Sequence, residues 1–175
     1  MKNKNFVVRK ALKRDIPDIL RITKEVFQIY KESAGIEYEM AALLDTYEYV
    51  EQEVEKKLFL VATIDNIVVG SVRVEIRNDG TAYLSRFGVE VSQQRNGVGA
   101  VLIDAVDEAV KELGIEKLYL HTASKVLSLI RFYYGRGFYI DSTTKDRGYI
   151  RALLCKEYEG TKESSQDETY CIYAV

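Results

Sequence analysis

The chain has 175 residues, 47% of them apolar and 30% charged, the balance of an ordinary globular protein large enough to bury a full core. A formal net charge of −2 gives no electrostatic case for nucleic acid or an anionic membrane as partner. No apolar run approaches the ~20 residues that span a bilayer, and residues 1–10 lack the apolar core of a signal peptide.

Two cysteines, Cys155 and Cys171, make no metal-ligand spacing. Without an export signal they are expected as reduced thiols in a cytoplasmic protein that holds no metal. Neither internal repeats nor a convincing linker divide the chain, so residues 1–175 read as a single domain.

In chain order, Phe6 to Leu12 reads as a first strand. Asp15-Ile16-Pro17-Asp18 then starts a helix, with Asp15 as its cap, Pro17 in the first turn and Asp18 at the positive end of the dipole. Ile19, Leu20, Ile22, Val26, Phe27 and Tyr30 form its apolar stripe, which Ser33-Ala34-Gly35 breaks. A second helix is expected over Glu39 to Lys56, with Met40, Leu43, Leu44, Tyr47, Val50 and Val54 facing inward. Leu58 to Ile64 and Ile67 to Ile76 are β-rich runs around Asp65-Asn66, a hairpin signal. Asn78-Asp79-Gly80 turns the chain into a third strand, Thr81 to Val89.

Beyond Gly114 a strand is expected over Lys117 to Thr122, then a helix over Lys125 to Tyr134 that Gly135 and Gly137 stop. Phe138 to Thr143 and Tyr149 to Tyr158 read as a hairpin around Lys145 to Gly148. Glu159 to Glu168 is polar and acidic and reads as a solvated loop. Tyr170 to Val175 is open as a last strand, an edge or a homodimer contact.

The stretch from Leu84 to Leu113 organises the rest. After the strand and a polar turn, Val98, Val101, Leu102, Ala105, Val106, Ala109 and Leu113 recur on one helical face, opposite Asp104, Asp107, Glu108, Lys111 and Glu112. Gly97 and Gly99 sit where that helix begins. Glycine permits close approach to the backbone, and the first helical N–H groups have no internal partner, so the position suits a phosphate. It is neither a P-loop nor a Rossmann turn, because the flanking residues of both motifs are missing.

The string Gln94-Arg95-Asn96-Gly97-Val98-Gly99 resembles the Gln/Arg-x-x-Gly-x-Gly/Ala signature of the GCN5-related N-acetyltransferases, the GNAT superfamily. A second likeness is Phe132-Tyr133-Tyr134-Gly135-Arg136-Gly137-Phe138, which resembles the family's aromatic-Tyr-x-x-x-Gly-Phe ending. The element order β-α-α-β-β-β-α-β-α-β-β is also similar, with the strong match confined to about Leu84 to Phe138. The resemblance implies a mixed α/β fold: a central, mostly antiparallel sheet flanked by helices. It implies transfer of an acetyl group from acetyl-CoA, as cosubstrate, to the amine of a small molecule or peptide by direct attack in a ternary complex. An acyl-CoA sensor or partner-binding module without turnover is the alternative on the same fold.

By that resemblance the pyrophosphate rests on the N–H groups of Arg95 to Ala100, with Gln94, Asn96, Gly97, Val98 and Gly99 completing the turn. Val89 matches the place where the family's fourth strand bulges away from the fifth to hold pantetheine, and Val91 stands where a proline is common. Val126 stands in place of an asparagine and Leu129 in place of an alanine. Tyr133 matches the tyrosine near the CoA sulfur, where a phenol of pKa ~10 can protonate a leaving thiolate. Among candidate bases are Glu75, with Tyr83 and Ser85 through water, and His121, the only histidine. The acceptor is expected to be chosen by the segment around Ile29 to Tyr49.

Overall fold

Asp65 and Asn66 both take left-handed backbone, φ 50° and 66°, the conformation a two-residue hairpin turn requires and short polar side chains tolerate. They join β2 (Leu58–Ile64) to β3 (Ile67–Ile76), and the next turn leads into β4 (Thr81–Val89). The computed structural model describes residues 6–159. Within them lie also β1 (Val7–Lys10), β5 (Lys117–Ala123), β6 (Tyr139–Thr144) and β7 (Arg151–Glu157), and the helices α1 (Ile16–Ala34), α2 (Tyr47–Lys56), α3 (Val98–Glu112) and α4 (Leu127–Tyr134). The segments from Gly160 to Glu168 and from Tyr170 to Val175, with Cys171, fall outside the described residues.

The strands form one seven-stranded sheet in the order β1-β2-β3-β4-β5-β7-β6. Every neighbouring pair is antiparallel except β4 and β5. A parallel pair needs a crossover, and α3 supplies it. Alternation along the strands sends apolar side chains to two faces of the sheet. Leu60, Val72, Val74, Ala82, Leu84, Leu118, Leu120 and Leu154 pack with Leu102, Ile103, Val106 and Val110 of α3. Phe59, Val61 and Val68 pack on the other face with Ile16, Ile19 and Ile22 of α1 and Val50 of α2. Gly70 fixes how closely α3 lies on β3, since a Cβ there would come 3.0 Å from Leu102 Cδ1 and 3.2 Å from Val98 Cγ1. Among the described residues, no helix is long and apolar enough to cross a membrane.

Three local expectations are corrected. Asp15 does not cap α1 with its side chain. Its carboxylate turns back to Arg9, at 2.6 and 2.9 Å, and to the Leu12 N–H at 2.7 Å, tying the end of β1 to the start of the helix. The helix expected over Glu39 to Lys56 is split into a 3₁₀ turn at Ala41–Leu44 and α2. The split follows from chemistry at its middle. Thr46 Oγ1 accepts the Tyr49 N–H at 3.2 Å as an N-cap, while Asp45 is drawn away to Arg86. Leu44, expected inward, is left exposed. Third, the bulge in β4 lies before Val89. Ser71 pairs with Gly88 and Arg73 with Ser85, so β4 carries one extra residue around Arg86–Phe87, and Arg86 adopts φ 51°.

Candidate functional site

The pairing of β4 with β5 stops after three rungs, Thr81 with Lys117, Ala82 with Leu118 and Tyr83 with Tyr119. Both strands continue, β4 to Val89 and β5 to Ala123. Beyond Tyr83 they part. β4 stays paired with β3, Ser71 with Gly88 and Gly70 with Val89, and on the β5 side the Ala123 N–H is taken by Tyr30 Oη of α1 at 2.7 Å.

Two cavities lie at this parting and meet at Phe87 and Leu129, which line both. The larger, of ≈ 500 Å³, is walled by Gly88, Val89, Gln94, Arg95, Gly97, Gly99, Ala100, Ser128, Phe132 and Arg136. It sits over the start of α3. Arg95 and Gly97 hold φ 63° and 88° there, winding the loop so that the helix opens on the cavity. No side chain caps α3, so the N–H groups of Val98, Gly99 and Ala100 are available to an anion. A Cβ on Gly99 would meet the rings of Phe87 and Phe132 at 3.2 to 3.4 Å. Those rings stack with centroids 5.6 Å apart. The Arg136 guanidinium lies 3.8 Å from the Phe132 ring centroid and donates to the Phe132 carbonyl, while its buried Nε has no partner among the described residues.

The smaller cavity, of ≈ 180 Å³, is lined by groups from several elements of the fold. From α1 come Phe27 and Tyr30; from β4 Tyr83, Ser85 and Arg86; from β5 His121 and Thr122; and from the hairpin side Arg147, Tyr149 and Arg151. Tyr133 of α4 closes one wall. It is 4% exposed, packed edge-on against Phe132 and Phe138. Burial, with Tyr30 adding to it, pushes its phenol well above the ordinary tyrosine range, so the hydroxyl keeps its proton.

Tyr83 Oη and His121 Nδ1 lie 2.8 Å apart. Burial also raises the Tyr83 phenol. Burial and then the Arg151 guanidinium lower His121, with Arg147 and Arg77 adding to the effect and Asp146 opposing it. In the tautomer of the neutral imidazole that carries its proton on Nε2, Tyr83 donates and Nδ1 accepts. Arg86 is held by Asp45 in a bidentate pair at 2.7 and 3.0 Å, and Arg151 by Asp146 at 2.7 and 3.0 Å. The Asp146 carboxyl is pulled down to about 2 by its bonds from Arg151 and Thr144.

The residues expected from sequence divide plainly. Val89, Gln94, Arg95, Gly97, Gly99 and Ala100 share the larger cavity, and Gln94 Nε2 donates to the Val89 carbonyl at 3.1 Å. Val98 is buried beneath it, while Asn96 and Val91 point to solvent outside it. Tyr133 belongs to the smaller cavity. Glu75 lies outside both, paired with Lys57 at 2.9 Å, and that hydrogen bond holds its carboxyl below the usual range. Sequence reasoning missed Arg136, although it stands inside the Phe132–Phe138 motif, and also Arg147, Tyr149 and Arg151. Nothing local marks those three, because only the return of β7 beside β5 brings them to the site.

The sequence profile of the Acetyltransferase (GNAT) family matches residues 23–138. By sequence, no curated protein matches the chain. Solved structures share the fold. PaiA N-acetyltransferase from Thermoplasma acidophilum, in complex with coenzyme A, is 20% identical with a TM-score of 0.76, covering 88% of this chain and 99% of its own. The ribosomal-protein-S18-alanine N-acetyltransferase from Escherichia coli is 14% identical with a TM-score of 0.72, over 93% and 100% of the two chains. Ard1 from Thermoplasma volcanium is 22% identical with a TM-score of 0.68, over 87% and 97%. With its profile match spanning both the glycine turn and the Tyr133 motif, this chain belongs to the GNAT acetyltransferase family.

Proposed function

We propose that the protein transfers an acetyl group from acetyl-CoA to a primary amine by direct attack in a ternary complex. The observation that carries this reading is the parting of β4 and β5 after Tyr83, with two cavities meeting there at Phe87 and Leu129. One cavity suits a long anionic donor and the other a small acceptor.

The residues present fit coenzyme A. The free N–H groups of Val98, Gly99 and Ala100 would hold the pyrophosphate, where the helix dipole also favours negative charge. Arg95 and Arg136 line the same cavity as cations, and Arg136 has a buried Nε still to be satisfied. Backbone of β4 from Arg86 to Val89, released from β5, would hold the pantetheine arm. When bound, acetyl-CoA supplies an activated thioester.

The chain's own groups then handle protons. Tyr83 Oη would accept a proton from the incoming amine while passing its own to His121 Nδ1, so the amine becomes a nucleophile and the imidazole becomes cationic. Tyr133, protonated throughout the physiological range, would give its phenolic proton to the departing sulfur. A thiol-release assay over a panel of primary amines, with calorimetry of coenzyme A binding, tests the reading. Coenzyme A binding together with amine-dependent thiol release is expected. Absence of thiol release with every amine, in protein that binds coenzyme A, would overturn it.

A further inference from the structure

The smaller cavity has a wall of one sign. Arg86, Arg147 and Arg151 line it, and no aspartate or glutamate does among the described residues. Two of these guanidiniums are already neutralised from behind, Arg86 by Asp45 and Arg151 by Asp146. Arg147, at the tip of the β6–β7 hairpin, has neither a hydrogen bond nor an ion pair among the described residues. Its charge is felt inside the cavity nonetheless, since it acts on both Tyr83 and His121. Thr122 Oγ1, buried in the same wall, has no hydrogen-bond partner among the described residues.

Such a wall repels a polycation and attracts an anion. We propose that the acceptor is a small amine that also carries a carboxylate, an amino-acid-like molecule, with Arg147 as the residue that selects the carboxylate. This deepens, and rests on, the acetyl-transfer reading. A guanidinium offers a planar fork that matches a carboxylate at two points. The cavity of ≈ 180 Å³, with the hairpin residues Arg147 and Tyr149 at its edge, is small for a peptide chain. The carboxylate has a second effect. Burial first, and then the Arg151 and Arg147 guanidiniums, depress His121; the carboxylate offsets the guanidinium part, so binding the correct acceptor strengthens the base that deprotonates it.

The test compares matched pairs: β-alanine, alanine and glycylglycine against their amides, with spermidine as a polycation. In turnover with acetyl-CoA, each acid is expected to exceed its amide at least tenfold in kcat/KM, with spermidine poorest. Arg147→Gln should collapse the acid-to-amide ratio toward one, and Arg147→Lys should restore part of it. Binding is read separately, by titrating the acids and amides into protein saturated with coenzyme A. If no amine is turned over but acids bind more tightly through Arg147, acetyl transfer fails and carboxylate selection stands. Amides or spermidine preferred over acids, or a ratio untouched by Arg147→Gln, would overturn the inference.

Discussion

The Tyr83 hydroxyl reaches His121 Nδ1 at 2.8 Å across the point where β4 and β5 separate. Tyr83 stands on the last paired rung, and His121 lies two residues beyond that rung on β5. The facing charges are Arg77 and the hairpin's Arg147, Asp146 and Arg151, and burial with the guanidiniums holds the imidazole below its ordinary value of 6.5. His121 is neutral and able to accept at neutral pH, and it gains a proton only as the pH falls through its lowered pKa. The unfolded chain takes up that proton first, so this residue's contribution to stability is full above 6.5 and declines as acid is added. Turnover at saturating substrates should therefore be flat near neutrality with an acid limb below pH 6.5. Arg147→Gln removes one depressing charge and should move that limb to higher pH. A limb that does not move in a kcat–pH profile would leave His121 without a role in catalysis.

Tyr133→Phe removes one oxygen and keeps the ring against Phe132 and Phe138. The loss in kcat is expected to be about 10²-fold, ~2.7 kcal/mol of barrier, at the lower end for proton transfer. Coenzyme A affinity should change little, because Tyr133 lies in the smaller cavity and not against the glycine turn. Tyr134 is half exposed and serves as the control. Single-turnover measurement of Tyr133→Phe at the wild-type rate would mean that solvent protonates the sulfur.

Gly99→Asp should abolish coenzyme A binding in a protein that still folds. Its Cβ would press on the Phe87 and Phe132 rings at the cavity wall, and its carboxylate would oppose phosphate at the helix start. Calorimetry on the folded variant decides; an affinity within threefold of wild type would remove the phosphate role from this turn.

Much of the fold was legible because its signals are local. Alternating residues and the Asp65-Asn66 turn give β2, β3 and β4 their observed bounds, and the apolar stripe marks α3. The glycine turn, too, announces its geometry, since Gly97 takes positive φ. What could not be read depends on distant partners. Periodicity runs unbroken through Asp45, and only Arg86, 41 residues on, reveals why the helix divides there. Glu75 alternates onto an outward position as expected, but Lys57 of the neighbouring segment claims it. Glu75→Gln should accordingly leave turnover within about twofold and stability within ~0.5 kcal/mol, as for exposed ion pairs generally. A hundredfold loss would return Glu75 to the catalytic machinery.

The break before α2 and the bulge in β4 are one structure. Arg86 holds left-handed backbone at the extra residue, a conformation that costs a non-glycine residue about 1 kcal/mol or more. Asp45, its side chain only 6% exposed, fixes it there by accepting two hydrogen bonds from the Arg86 guanidinium. Asp45→Asn removes the charge and leaves the Arg86 guanidinium, 17% exposed, without a counter-ion. Breaking a buried pair from one side costs about 3 kcal/mol or more, which for a chain of this size lowers Tm by roughly 10 °C. Turnover should fall further than stability alone explains, because a relaxed bulge lets β4 close toward β5. Thermal unfolding and kcat, measured below the transition of the variant, separate the two effects. Loss of stability with full turnover would show that the bulge persists without Asp45 and that the pair braces the fold only.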